Sequence, residues 1–170
     1  MKIQEKFAFL KAGENRESFF RRISLFFPKS DHRYKKIEQA YNVTKDAFRD
    51  VKREGGDRYF EHIRAVCLIL IDYLRVNDYE LIIAALLHDI VEDCPSWTIE
   101  RVRTLFGDRV ACFVDYLTKP SKVDYPKKEE REHVYHYRFN NAPRDFFSIK
   151  LSDRFHNLFT LESCPKDKQE

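Results

Sequence analysis

The run Tyr79-Glu80-Leu81-Ile82-Ile83-Ala84-Ala85-Leu86-Leu87 is apolar nearly all round at helical spacing, and the six residues after it, His88-Asp89-Ile90-Val91-Glu92-Asp93, hold four ionisable side chains. A helix apolar on every face belongs in the middle of a core, so the rest of the chain has to be arranged around it. The spacing predicts one helix from Asn77 to Cys94. Asn77 can cap it, with Glu80 three residues later completing a capping box. Cys94-Pro95 ends it, because the residue before a proline is pushed out of the helical region. The surrounding elements also read as helices. The chain has four glycines, three of them in two local turns, Gly55-Gly56 and Gly107, and it shows little strict alternation of apolar and polar residues.

His62 to about Leu74 is a second strongly apolar helix, and Thr98–Phe106 stops at Gly107, a typical residue just past a helix end. Asp108–Thr118 carries Val110, Phe113, Val114 and Leu117 at helical spacing. Pro143, tolerated in a first turn, can open a last helix that reaches about Leu161. Ser121–Arg131 is polar and basic and reads as a solvated loop entering a polar helix. The expected fold class is all-α. Residues 1–30 read as an N-terminal amphipathic helical extension rich in phenylalanine, including Phe7, Phe9 and Leu10, and residues 31–170 as the main domain. Phe19, Phe20, Ile23, Phe26 and Phe27 form a helical stripe. It is expected to pack on the domain; the alternative is a helix that docks on a membrane surface or a partner.

Composition removes several functional classes. With 31 basic against 28 acidic residues in 170, the net charge of +3 is a small remainder and suggests no DNA or RNA partner. No apolar run approaches the roughly 20 residues that span a bilayer, and the N-terminus lacks the pattern of a secretory signal. Cys67, Cys94, Cys112 and Cys164 are scattered, without C-x-x-C spacing. They are expected to be reduced thiols of a cytoplasmic protein, and none has an activating partner in sequence.

Three segments carry chemistry. In the first, His88 and Glu92 are four apart, as are Asp89 and Asp93, which puts them on neighbouring strips of one helix face. A histidine and three carboxylates at the buried end of a helix are costly unless something positive sits among them. A metal ion or arginines would meet that need; a solvated acidic helix end would not require it, but acids there oppose the helix dipole. In the second, Lys150, Asp153, Asn157 and Thr160 are spaced three, four and three apart along the last helix and line one stripe. In the third, Arg53-Glu54-Gly55-Gly56-Asp57-Arg58-Tyr59-Phe60-Glu61-His62, a glycine turn delivers a histidine onto an apolar helix. Alone, such a histidine is more often a cap or surface residue than a ligand. His133 and His136 lack an acidic or thiolate partner at defined spacing. His156 points about 100° away from Asn157 on a helix and is left out of the ligand set.

Taken together the segments resemble the hydrolase domain of the RelA/SpoT family, within the HD phosphohydrolase superfamily. The resemblance rests on Arg53 nine residues before His62, on His88-Asp89-Ile90-Val91-Glu92-Asp93, and on Lys150-Leu151-Ser152-Asp153-Arg154-Phe155-His156-Asn157-Leu158-Phe159-Thr160-Leu161. Phe106-Gly107-Asp108-Arg109-Val110 and Leu117-Thr118-Lys119 match two further family elements, and the order is kept over about residues 37–161. The resemblance implies an HD-domain helical bundle in which His62, His88, Asp89 and Asp153 bind one divalent ion, manganese in this family, although other divalent transition metals suit the same ligands. It implies Glu92 and Asp93 as the residues that orient and deprotonate the attacking water. It implies Arg53 against the base, Asn157 and Thr160 on the ribose or phosphate side, and Lys150, Arg154, Lys119 and Lys122 as offsets to substrate charge. The substrate so implied is the guanosine alarmone (p)ppGpp, cleaved at its 3′ position to GDP or GTP and pyrophosphate.

The chain departs from the family pattern in three places. Ile63 stands where a proline usually follows the first histidine, Glu54 reverses a usual basic charge, and the sequence ends nine residues after Leu161, where family members continue into further helices. Two other readings keep the same cluster: an HD phosphohydrolase for another nucleotide, such as a dinucleotide phosphate or nucleoside monophosphate, or a weakly catalytic nucleotide-sensing module.

Overall fold

A computed structural model describes residues 13–161. Helix α1 (Arg16–Phe26) starts at Asn15, whose side chain accepts from the Ser18 N–H while the Ser18 hydroxyl accepts from the Asn15 N–H, so two orphan donors are satisfied reciprocally. Asp31 caps α2 (His32–Ala47). Then come α3 (Tyr59–Leu68), which runs into a π-helical turn over Ile69–Tyr73, and α4 (Tyr79–Leu87). A single turn, α5 (Ile90–Asp93), is followed by α6 (Ile99–Phe106), α7 (Asp108–Leu117) and α8 (Lys128–Arg138). A 3₁₀ turn, Phe139–Asn141, leads to α9 (Phe146–Phe159). The fold is all-α, and among the described residues the β pairing consists of one isolated bridge, Lys52 to Arg58. None of the described helices is long and apolar enough to cross a membrane.

Helix α4 takes the central place that its composition requires. Leu81 to Leu87 are all buried, and α2, α3, α7 and α9 each pack against it. Helices α6 and α7 form a hairpin about Gly107, whose φ of +93° a side chain would strain. The phenylalanine stripe of α1 packs inward: Phe19, Phe20, Ile23 and Phe27 join the same core cluster. Phe19 and Phe20 set their rings against Tyr41 at centroid distances of 5.1 Å each. Phe26 leaves the stripe and stays 38 % exposed. Phe7, Phe9 and Leu10 lie outside the described residues.

Several boundaries differ from the sequence reading. Asp78, not Asn77, caps α4, its carboxylate accepting from the Glu80 and Leu81 N–H groups. The expected continuous helix from 77 to 94 breaks at His88-Asp89, where Asp89 adopts φ −106° and ψ 0°, the sparsely allowed bridge region in which many active-site residues sit. The break lets Asp89 turn its carboxylate back toward His88 and accept a hydrogen bond from Tyr59, 2.8 Å away. The helix expected from His62 begins three residues earlier. At the other end of the chain, Phe146, Phe147 and Ser148 bond three residues back, to Pro143, Arg144 and Asp145, so the turn opened by Pro143 is tight and α9 proper starts at Phe146. Helix α2 is not among the helices read from the sequence, although its buried residues Tyr34, Ile37, Ala40, Tyr41 and Thr44 recur at helical spacing.

Candidate active site

Three elements converge where α4 breaks. The turn before α3 is fixed by backbone bonds, from the Arg53 N–H to the Asp57 carbonyl (2.8 Å) and from the Gly56 N–H to the Arg53 carbonyl (2.9 Å). Gly56 takes φ +87°, a conformation open to glycine at no steric cost. That turn sets His62 one turn into α3, fully buried, beside His88 from the end of α4. Helix α9 brings Asp153 to the same point. One nitrogen or carboxylate oxygen from each of His62, His88 and Asp89 lies within 4.8 Å of the others. Asp153 Oδ1 is 3.5 Å from His62 Nε2 and 3.9 Å from His88 Nε2. Asp89 Oδ2 is 2.9 Å from His88 Nε2 and 3.8 Å from His62 Nε2.

Both imidazoles are anchored through Nδ1 and turn Nε2 toward the carboxylates. His88 Nδ1 lies 2.9 Å from the Ala85 carbonyl, which only an N–H can satisfy, so its Nε2 carries the lone pair in the neutral ring. That Nε2 is buried and, although 2.9 Å from Asp89 Oδ2, is not aligned for a hydrogen bond to it. His62 Nδ1 lies 2.9 Å from His156 Nδ1. Burial opposes charge on every member, and the charges answer one another. The adjoining imidazoles hold the Asp89 and Asp153 carboxyls well below the ordinary range against the pull of burial. Desolvation would lower His88, but the Asp89 carboxylate carries it above the ordinary histidine value. His62 is lowered, chiefly by burial. Lys150 Nζ, 3.3 Å from Asp153 Oδ2, balances one carboxylate. The other is left for a protonated imidazole or a bound cation. Two imidazole Nε2 atoms, one of them orphaned, and two carboxylates are a donor set that fits a divalent transition metal.

Beside the cluster is a cavity of about 150 Å³ lined by Tyr59, His62, Asp89, Glu92, Asp93, Leu117, Lys119, Lys150, Asp153, Arg154 and Asn157. Glu92 is held by Lys119, through Nζ at 3.1 Å and the backbone N–H at 3.3 Å. Burial and the Asp89 charge push the Asp93 carboxyl up. A second, larger hollow of about 600 Å³ opens next to it, lined in part by Arg53, Glu54, Tyr59, Arg154, Asn157 and Thr160. There Arg53 donates to Thr160 Oγ1 (2.9 Å) and to Asn157 Oδ1 (2.6 Å), and Asn157 Nδ2 donates to Asp153 Oδ1 (2.7 Å). A chain of hydrogen bonds thus links Arg53 to the metal-type cluster. Lys122 stands farther out, in a hollow it shares with Lys119 and Arg131.

Of the residues singled out in the three segments, Glu92, Asp93, Lys150 and Asp153 border the smaller cavity, Arg53 and Thr160 the larger hollow, Arg154 and Asn157 both, and His88 is buried behind them. His133 and His136 stay exposed on α8. Cys67 and Cys94 are buried free thiols, both pushed up by desolvation, Cys94 to about 11; Cys112 is exposed and free, and Cys164 lies outside the described residues. Two residues at the cluster have no role in the sequence reading: Tyr59 goes unremarked, and His156 is left out of the ligand set. Tyr59 stacks on Phe48 (4.8 Å, 10° between planes) and donates to Asp89. His156 is buried against His62, which with Arg53 adds to desolvation and holds it down at about 3. The signal for His156 was present: measured from Asp153 rather than from Asn157, it is at i+3, about 60° round the helix, with Asn157 at i+4 and Thr160 at i+7.

The sequence profile described as HD domain matches residues 40–170. The chain is 36% identical over 156 residues to the bifunctional (p)ppGpp synthase/hydrolase SpoT of Escherichia coli strain K12, covering 90% of this chain and 22% of that protein. It is 38% identical over 136 residues to the guanosine-3′,5′-bis(diphosphate) 3′-pyrophosphohydrolase of Aquifex aeolicus strain VF5, covering 79% of this chain and 19% of that one. The chain thus spans about a fifth of the length of these curated relatives. A solved structure described as a metazoan ortholog of SpoT that hydrolyses ppGpp superposes with a TM-score of 0.67 at 28% identity, over 75% of this chain and 70% of that one.

Proposed function

The chain belongs to the HD domain family, and from that premise we propose that it is a metal-dependent hydrolase that removes the 3′-pyrophosphate of (p)ppGpp, giving GDP or GTP and pyrophosphate. The observation that carries the reading is the hydrogen-bonded link from Arg53 through Asn157 to Asp153, which joins the His62, His88 and Asp89 cluster beside the smaller cavity to the adjoining larger hollow. The names of the relatives from Escherichia coli and Aquifex aeolicus and the described activity of the metazoan structure support the substrate.

His62 and His88 through Nε2, and Asp89 and Asp153 through their carboxylates, would hold one divalent ion, Mn²⁺ in this reading. The ion, when bound, lowers the pKa of the attacking water and offsets charge on the phosphoryl oxygens. Glu92 and Asp93 orient that water and take its proton. Burial suits Asp93 to the second task, since it raises a carboxyl toward the working pH of a general base. Tyr59 fixes the Asp89 carboxylate by donating its hydroxyl to Oδ2, the oxygen that also faces the two imidazole Nε2 atoms. Arg53 lies flat against the purine, a use of its planar guanidinium, and the Asn157 and Thr160 acceptors hold it in place. Asn157 and Thr160 face the ribose and its phosphates. Arg154 and Lys119 border the reaction cavity and offset substrate charge, while Lys150 acts on Asp153. The free thiols fit a cytoplasmic setting.

The test is pyrophosphate release from ppGpp by the purified protein, with Mn²⁺ and after chelation, beside a panel of other nucleotides. Mn²⁺-dependent release confined to the alarmone is expected. Release from a different nucleotide would keep the metal site and discard the substrate; silence on all of them with metal bound would leave a nucleotide-sensing module.

A further inference from the structure

We propose that His156 is a positioning residue whose Nδ1 accepts the Nδ1 proton of His62, thereby fixing the tautomer that presents a bare Nε2 to the metal. The inference rests on the metal reading above. Its geometric basis is the 2.9 Å separation of the two Nδ1 atoms, both on buried rings whose centroids are 4.9 Å apart. A contact of that length between ring nitrogens needs one donor and one acceptor. Two tautomer assignments satisfy it, and the other side of His62 chooses between them. His62 Nε2 is the atom that faces Asp153 and Asp89, at 3.5 and 3.8 Å. For that atom to ligate, its proton must sit on Nδ1, so His156 Nδ1 accepts and His156 keeps its own proton on Nε2.

His88 offers the parallel within the same cluster. Its Nδ1 proton is held by the Ala85 carbonyl, one turn back on α4, and its Nε2 is turned toward the same carboxylates. His62 has no such carbonyl at its Nδ1, and His156, reaching across from α9, stands in its place. Ligating histidines ordinarily give this second proton to a carboxylate, a backbone carbonyl or water. A neutral imidazole as acceptor adds no negative charge to a cluster that already buries two carboxylates. Backbone and side chain both secure His156: its carbonyl accepts from the Thr160 N–H (3.0 Å) and hydroxyl (2.9 Å), at the end of the stripe that carries Asp153 and Asn157.

Two measurements test this. The first is Mn²⁺ affinity, by competition with a chelator of known strength, for the unmodified protein, His156→Gln and His156→Leu. Gln retains an acceptor and Leu does not, so Leu should bind Mn²⁺ about 10- to 100-fold more weakly and Gln should recover most of that loss. Equal affinity in Leu and the unmodified protein, or no recovery in Gln, overturns the role of His156 while leaving the metal reading intact. Failure of the unmodified protein to bind Mn²⁺ removes the metal reading and this inference with it. The second needs no variant, and decides alone if the Leu protein does not fold: ¹⁵N spectra of histidine-labelled protein loaded with diamagnetic Zn²⁺. His62 is expected to be protonated at Nδ1, with a nitrogen–nitrogen coupling across the hydrogen bond to an unprotonated His156 Nδ1. A proton on His156 Nδ1 instead overturns the proposal.

Discussion

Replacing Arg53 with lysine separates recognition of the substrate from assembly of the metal cluster. The guanidinium forks: one terminal nitrogen donates to Thr160 Oγ1 at 2.9 Å, the other to Asn157 Oδ1 at 2.6 Å. Its backbone is clamped on both sides by the Gly55-Gly56 turn, so the fork is aimed before any ligand arrives. Lysine keeps the charge but ends in one nitrogen, which cannot hold both acceptors in the plane that would face a base. A hydrogen bond from a charged group is worth about 1.5–3 kcal/mol. An ammonium no longer aimed at the base forfeits one contact of that size in the complex, which at about 1.4 kcal/mol per tenfold predicts a drop in kcat/KM of roughly 10- to 150-fold. Arg53 bonds none of the four cluster residues directly and reaches Asp153 only through Asn157, whose own bond to Asp153 the substitution leaves in place, so the loss should fall mainly on KM, with kcat and Mn²⁺ affinity close to the unmodified values. The assay is initial-rate pyrophosphate release over a range of ppGpp concentrations at saturating Mn²⁺, with Mn²⁺ affinity measured separately. An unchanged KM with kcat reduced, or a loss that follows Mn²⁺ affinity, would refute the assignment of Arg53 to the base.

Other outcomes follow from the same geometry. The double variant Glu92→Gln, Asp93→Asn should lose hydrolysis while still binding nucleotide, as read by calorimetry with ppGpp; unchanged turnover would mean that neither carboxylate handles the water. Phe19→Ala empties a fully buried site and should cost about 3–5 kcal/mol, lowering the melting temperature by on the order of 10 °C in a chain of this length. Phe26→Ser on the same helix should move it little, and equal small effects would show that α1 is only loosely docked. Glu14 bonds the Arg22 guanidinium at 2.8 and 3.0 Å; burial alone would raise its carboxyl, but Arg22 and the Ser18 hydroxyl outweigh that and lower it below the ordinary value of about 4.5. Its contribution to stability is therefore present above that value and lost as the pH falls through the lowered one. Thermal melts of Glu14→Gln should show a deficit at neutral pH that closes in acid, and a deficit constant with pH would contradict the pairing.

The helical class was legible because it depends on local properties: scarce glycine, helical spacing, caps and a proline stop. The site was legible because its chemistry is concentrated in short segments, each with its own spacing. The main departure from the sequence reading arises through tertiary contacts, and a smaller one is local. A continuous helix from 77 to 94 is what the pattern prefers; the break at Asp89 is set by His88 and by Tyr59, 30 residues earlier, whose hydroxyl reaches Asp89 across the space between α3 and α4. Asp78 displaced Asn77 as the cap, a choice between neighbours with nearly equal capping strength.

By itself, then, the sequence determined which residues are apolar, which helices they form and which side chains could bear charge at a buried helix end. Only the tertiary structure decided which of those side chains meet. His62 and His156 are 94 residues apart, and Arg53 and Asn157 104 apart, and no local propensity links such pairs. They come together because α4 must be covered on all sides, and covering it with α3 and α9 brings the first turn of α3 and the polar stripe of α9 to the break where α4 stops. Burial there excludes water, so the imidazoles and carboxylates must satisfy one another, and their mutual distances, tautomers and charges are properties of the assembled core.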